Sequence, residues 1–158
     1  MISLQKITYD NFYEILTLEP FEEQKNFVAR NIYSLAEAYV ALTNKTSIPE
    51  TFAIYHDETL VGFTMIAYSE KDEEDDDDED AYHIWRIMID KKYQGKGYGK
   101  KAFAKIIEYI KTFPLGKANI AWLSYSPNNL VAKKLYQSFG FEETNEYEND
   151  EVIAVLKL

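Results

Sequence analysis

"MIDKKYQGKGYGKKAFAKI", residues 88–106, places glycines at 95, 97 and 99 between an apolar stretch and an amphipathic one. The chain holds six glycines, so half of them fall within five residues. The flanking pattern reads as strand, glycine-rich turn, helix. Without Cβ atoms, successive backbone N–H groups of Gln94-Gly95-Lys96-Gly97-Tyr98-Gly99 converge unobstructed, while the following helix presents its positive dipole end. Such a turn suits an anion such as a pyrophosphate, with Lys96, Lys100 and Lys101 adding charge. Its purely structural reading is a tight connection. Two rival phosphate motifs fail. A Walker loop needs G-x-x-x-x-G-K-[ST], whereas Gly95-x-x-x-Gly99-Lys100 is one residue short and is followed by Lys101 instead of a hydroxyl. Gly97-Tyr98-Gly99-Lys100-Lys101-Ala102 satisfies the G-x-G-x-x-A of a dinucleotide site, but the strand before it ends an antiparallel meander and no acidic residue lies about twenty positions on.

Outward from this turn, the hydrophobic pattern supplies the other elements. "ISLQKIT" alternates as a short strand, and Asp10 or Asn11 caps a helix through "FYEILTL". Phe27, Val28, Ile32, Leu35, Ala36 and Tyr39 recur at three and four, which predicts a longer helix from 22 to about 43. "TFAIYHDETLVGFTMIAY" is a hairpin turning at His56-Asp57-Glu58-Thr59, and "YHIWRIMID" adds a third antiparallel strand. The glycine segment opens a helix to about 111. "NIAWLSY" is a strand, "NNLVAKKLYQSF" a helix stopped at Gly140, and the remainder a closing hairpin. The order β-α-α-β-β-β-α-β-α-β-β predicts a mixed α/β fold in a single domain over 1–158.

Composition narrows the chemistry. A chain of 158 residues with 46% hydrophobic and 15% aromatic content buries a substantial core. The start lacks an apolar segment of signal-peptide length and no apolar run is long enough to cross a bilayer, so no membrane partner and a cytoplasmic location are expected. With no cysteine, and with His56 and His83 as the only histidines, no disulfide, thiol nucleophile or metal centre is expected. The net charge of −10 is almost wholly the nine-residue run "DEEDDDDED" at 72–80. That run reads as a solvated, flexible connection over 70–80, or as a local field that concentrates a polycation. Arg30 and Arg86 are the only arginines, which argues against nucleic acid.

Gln94-x-x-Gly97-x-Gly99 after a strand resembles the acetyl-CoA pyrophosphate loop of the GNAT superfamily of N-acetyltransferases. A second stretch, Asn129-x-x-Ala132-x-x-Leu135-Tyr136-x-x-x-Gly140-Phe141, follows at that family's spacing, so the likeness covers about 51–141. "EPFEEQKNFVARNIYSLAEAYVA" and "WRIMIDKKYQGKGYGKKAF" further resemble the bacterial spermine/spermidine branch, from which the acidic run departs. The resemblance implies a sheet splayed between strands at 81–90 and 119–125, with acetyl-CoA as acetyl donor held in the gap. It implies that the backbone of Ile87, Met88 and Ile89, at a bulge in their strand, bonds the pantetheine arm, and that Gln94, Gly95, Lys96, Gly97, Tyr98, Gly99, Lys100, Asn129 and Ala132 also contact the cofactor. Homodimers are common in that family, although no segment here marks an interface.

Acetyl transfer to an amine requires a polarised carbonyl, a neutral amine and a proton for the departing thiolate. Tyr136 matches the family's general acid, and a phenol with a reference pKa near 10 stays protonated at neutral pH. Its plain reading is a core aromatic beside Leu135 and Phe139. Asn129 is a cofactor contact or merely a helix cap, a task Asn128 serves equally. No general base is written in the sequence. Glu22, Glu23 and Glu37 lie on the first helices, where the resemblance places the acceptor wall, or are solvated helix residues. His83 and Trp85 share a strand face, lining the acceptor pocket or pairing a surface histidine with a core tryptophan. The expected acceptor is spermidine or spermine, with a protein amino group, another small amine, or a non-catalytic CoA-thioester-binding module as alternatives.

Overall fold

A strand that is apolar on both faces must be covered on both. Thr59–Ser69 is such a strand, buried from Leu60 through Tyr68 in the computed structural model, which describes residues 1–76 and 78–158. The chain runs β1 (Ile2–Lys6), α1 (Phe12–Thr17), a 3-10 turn (Glu22–Gln24), α2 (Asn31–Asn44), β2 (Ile48–His56), β3 (Thr59–Ser69), β4 (Ala81–Ile89), α3 (Tyr98–Ile110), β5 (Ile120–Tyr125), α4 (Leu130–Gln137), β6 (Glu142–Glu148) and β7 (Glu151–Lys157). The helix and strand order matches the expected one, with the 3-10 turn added. Asp77, inside the acidic run, lies outside the described residues.

The strands form one seven-stranded sheet in the order β1-β2-β3-β4-β5-β7-β6, antiparallel except where β4 meets β5. On one face Ile15 of α1 and Ala38 of α2 pack with Phe63, Met65 and Met88. On the other, Phe103, Ile106 and Ile110 of α3 and the partly buried Leu135 and Tyr136 of α4 pack with Ile66, Tyr82 and Ile84. Tyr82 is fully buried, and its hydroxyl donates to the Gly116 carbonyl at 2.8 Å while accepting from the backbone N–H of Leu115 at 3.1 Å. That pair of bonds fixes the connection from α3 into β5.

Two local expectations are corrected. The helix predicted from 22 to about 43 begins at Asn31; residues 22–24 form a 3-10 turn, and Phe27 and Val28 belong to a loop. The buried face of α2 is Asn31, Ser34, Ala38 and Ala41, whereas Ile32 and Tyr39 are 52% and 73% exposed. Small residues on that face let the helix approach the sheet closely. Asn11 does not cap α1 with its side chain. It accepts from the Thr8 N–H at 2.9 Å and donates to the Lys6 carbonyl at 3.1 Å, tying β1 to α1.

The feature that places the site is the β4–β5 pairing. Only Ala81, Tyr82 and His83 pair with Ile120, Ala121 and Trp122, and beyond them the parallel strands part. On its other side β4 keeps pairing with β3 through Ile89, with one register shift that leaves Trp85 as the extra residue. The expected bulge is thus present but falls two residues before Ile87. The Thr64 hydroxyl donates to the Arg86 carbonyl at 2.7 Å just past it.

Gly62 permits the close approach of β3 to β4 there, because a Cβ at 62 would sit 2.3 Å from the Met88 carbonyl oxygen. Gly62→Ala should therefore destabilise the protein by about 1–3 kcal/mol, read as a lowered midpoint in urea.

Candidate active site

The turn between β4 and α3 has the geometry its glycines require. Gly95 and Gly97 have φ of +76° and +75°, and a Cβ at either would meet nothing within 4 Å. Backbone conformation, not crowding, calls for glycine, and the space over both is open. Gly97 is the N-cap of α3 and supplies no side-chain cap, so the first N–H groups of this helix face outward without an internal acceptor. This cradle fits a diphosphate.

A cavity of about 1120 Å³ runs from that turn along the unpaired edge of β4. Gly95, Gly97, Tyr98, Gly99 and Lys100 line one end, Ile87, Met88 and Ile89 the edge, and Asn129, Ala132 and Tyr136 the α4 wall. Lys96 is not among the lining residues; its ammonium lies over the Tyr93 ring. The Gln94 side chain turns inward, donating to the Ile89 carbonyl at 3.0 Å and forming a reciprocal amide pair with Gln24 at 2.7 and 3.0 Å. Asn129 is the N-cap of α4, and its side-chain oxygen accepts from the Ala132 N–H at 3.2 Å, a bond that does not use its amide nitrogen.

Tyr136 reaches the cavity from α4, its ring packed on Phe103 at 5.0 Å and Tyr125 at 5.4 Å. Its hydroxyl makes no hydrogen bond to another described residue. Burial first, and the negative charge of Glu151 second, push its pKa up to about 12. It is both a core aromatic and a cavity-lining phenol.

The opposite wall is the loop at 20–29 with α2. Glu23 and Glu37 line the cavity, whereas Glu22 lies outside it, exposed and paired with Lys25 at 2.5 Å. Glu37 forms an ion pair with Arg86 at 3.0 Å, and Arg86 rests over the Trp85 ring. His83 is stacked on Trp122 at 3.6 Å with 7° between planes, and sits 5.5 Å from Trp85. Both His83 and Trp85 are half-buried and line the cavity. Burial, and then the nearby Arg86 charge, lower the His83 pKa to about 3, so the imidazole is neutral at physiological pH.

Sequence reasoning missed three contributors. Arg86 was noted only as a scarce arginine, Gln24 gave no signal, and Glu151, in the segment "ENDE", reads as part of a polar turn. Glu151 opens β7, lines the cavity, and accepts from the Ser124 hydroxyl at 2.7 Å. Among the described residues no helix is long and apolar enough to cross a membrane, and no group of three metal-binding side chains is found.

Comparison with known proteins bears on this arrangement. Residues 4–141 match the model of the Acetyltransferase (GNAT) family. The chain is 32% identical to the spermine/spermidine N(1)-acetyltransferase of Bacillus subtilis (strain 168) over 161 aligned positions, covering 99% of each chain. Among solved structures, it superposes on aminoglycoside acetyltransferase AAC(6')-Ib in complex with coenzyme A and kanamycin with a TM-score of 0.75 at 18% identity, covering 99% and 95% of the two chains. The PaiA N-acetyltransferase of Thermoplasma acidophilum in complex with coenzyme A gives a TM-score of 0.66 at 14% identity, covering 100% and 99%.

The stacked imidazole makes a stability prediction. Its folded-state pKa of about 3 lies below the ordinary 6.5, so the unfolded chain binds the proton first and stability is lost as pH falls from 6.5 toward 3. The slope approaches, and does not exceed, about 1.4 kcal/mol per pH unit midway between the two values. His83→Phe, which keeps a ring against Trp122, should show a shallower acid-side fall in melting temperature than wild type between pH 6 and 4.

Proposed function

The chain belongs to the acetyltransferase (GNAT) family and is an N-acetyltransferase drawing on acetyl-CoA, and from that premise we propose that its acceptor is a polyamine such as spermidine or spermine. The observation that carries the acceptor is the similarity to the Bacillus subtilis spermine/spermidine enzyme, which extends over essentially the whole of both chains. It therefore includes the loop at 20–29 and the β6–β7 hairpin, two segments that contribute to the lining of the cleft.

The charge and surface of that end support the reading. Glu23, Glu37, Glu148 and Glu151 all line the cavity, and Glu37 already neutralises Arg86. With Arg86 neutralised by Glu37, Glu148 and Glu151 leave the hairpin side of the cavity negative, and the rings of Trp85 and His83 also line it. A protonated alkylamine chain finds carboxylates for its charges and aromatic faces for its methylenes there.

The roles of the chain's own groups follow from their places. The N–H groups at Gly95–Lys100 hold the diphosphate of acetyl-CoA, which supplies the activated acetyl group when bound. The unpaired edge of Ile87, Met88 and Ile89 offers backbone donors and acceptors to an extended arm, as a neighbouring strand would. Tyr136 delivers its proton to the departing sulfur. A phenol at about 12 remains protonated across the working range, so proton supply does not limit the reaction at alkaline pH.

Initial rates at saturating acetyl-CoA with spermidine, spermine, kanamycin and an alanine-terminated peptide test the acceptor. The kcat/KM for a polyamine should exceed the other two by at least tenfold; a faster peptide or aminoglycoside overturns the assignment. Tyr136→Phe should lower kcat by about 10²-fold, with the dissociation constant for acetyl-CoA unchanged by calorimetry. Wild-type kcat should show no descending limb up to pH 10, because deprotonation of a phenol at about 12 lies beyond it.

A further inference from the structure

The amine must lose a proton before it can attack, and some group beside the thioester must take it. A primary alkylammonium with a reference pKa near 10.4 is neutral in only about one molecule in 2,500 at pH 7. Several side chains at the acceptor end are formally able to help, and their surroundings separate them. His83 lies in a sandwich of indole rings beside the Arg86 cation, where a second positive charge is disfavoured. Glu37 is committed to Arg86 at 3.0 Å. Glu23 and Glu148 are exposed, at the rim. Glu151 is different. It is half-buried, lines the cavity, and makes no ion pair among the described residues, so its carboxylate is not already committed to a cation.

Its position matches the task. Ser124 follows Trp122 by two along β5 and so shares its face, the face of His83, just past the last β4–β5 pair. The Ser124 hydroxyl holds one Glu151 oxygen at 2.7 Å, leaving the other for a ligand. Tyr136 comes from α4 on the opposite face of the sheet, so a carboxylate and a phenol flank the split from its two sides.

We propose that Glu151 is the general base, taking the proton of the incoming ammonium group, and that Ser124 is the positioning residue that aims its carboxylate into the split. The ammonium N–H bond breaks and a Glu151 oxygen gains the proton. The released nitrogen lone pair forms the C–N bond at the thioester carbon as the C–S bond breaks, and Tyr136 gives its proton to the sulfur. The second proton shed by the new amide nitrogen restores Tyr136, and the proton on Glu151 passes to solvent, one per amide formed. The inference rests on acetyl transfer to an alkylamine and on nothing about which amine.

The test is the pH dependence of kcat/KM from 6 to 9.5 for Glu151→Gln, with whichever amine wild type acetylates fastest. The ionisable groups that share the cavity with Glu151 are Glu148 across the hairpin, Tyr136 from α4, Tyr125 from β5, His83 and Arg86 from β4, Tyr33 and Glu37 from α2, Glu23 and Lys25 from the loop before it, and Tyr98 and Lys100 at the glycine turn. Wild type should be flat over this range. E151Q should be at least 10²-fold slower at pH 7 and rise tenfold per pH unit as solution supplies neutral amine, with melting temperature and acetyl-CoA affinity unchanged. Ser124→Ala should lose three- to tenfold in kcat while keeping the flat profile. A raised amine KM with intact kcat, or a loss that is the same at every pH, overturns the proposal. If E151Q does not fold, Glu151→Asp carries the test: a slower enzyme with the flat profile supports the assignment, and a rising profile overturns it. A different preferred acceptor overturns the polyamine reading alone.

Discussion

Three residue pairs join β4 to β5, and there the ladder stops. Past His83 and Trp122 the backbone polar groups of two neighbouring strands face each other across a gap too wide to bond, and such groups demand partners. The gap is built. On one face Trp122, His83 and Trp85 form a stack of flat rings at the point of divergence. On the other, Tyr136 wedges against Tyr125 and Phe103. The extra residue at Trp85 turns β4, and the Thr64 hydroxyl holds it to β3. Every proposed role, from the glycine cradle to the acid and base, is defined by where it stands around this opening.

The electrostatics are more local than the net charge suggests. The described part of the acidic run folds back on itself: the Lys71 N–H donates to Asp80, the Asp72 N–H to Asp78 and the Glu74 N–H to Asp72. None of its described residues lines the cleft. The charges that matter to an amine are the few carboxylates lining the acceptor end, where one arginine is already neutralised. Long-range charge sets the approach of a cation, whereas these near groups set its orientation and its proton.

Legibility in the sequence followed the physics of each element. The strands and α3 were readable because their periodicity is imposed by burial, and the glycine turn because positive φ leaves a compositional mark. The start of α2 was misread because Phe27 and Val28 continue its spacing from the loop before it; Val28 and Leu35 do pack against the core, but the most buried face of α2 is made of the small or polar Asn31, Ser34, Ala38 and Ala41, which give a weak hydrophobic signal. Glu151 was invisible for a related reason. A carboxylate at the head of a hairpin strand looks like any turn residue until the sheet brings Ser124 beside it, 27 positions away in the chain. Gln94 was legible as a motif residue, but its side chain serves the protein's own backbone.

The amide pair of Gln24 and Gln94 has a further consequence. It fastens the arm before α2 to the glycine turn, and it does so with two neutral groups. Ion pairs at the same seam, such as Lys91 with Glu19, weaken as ionic strength rises, and multivalent cations compete for exposed carboxylates. A carboxamide dimer offers such ions nothing to titrate or displace. The contact between this arm and the glycine turn is therefore less sensitive to ionic strength than the ion pairs beside it.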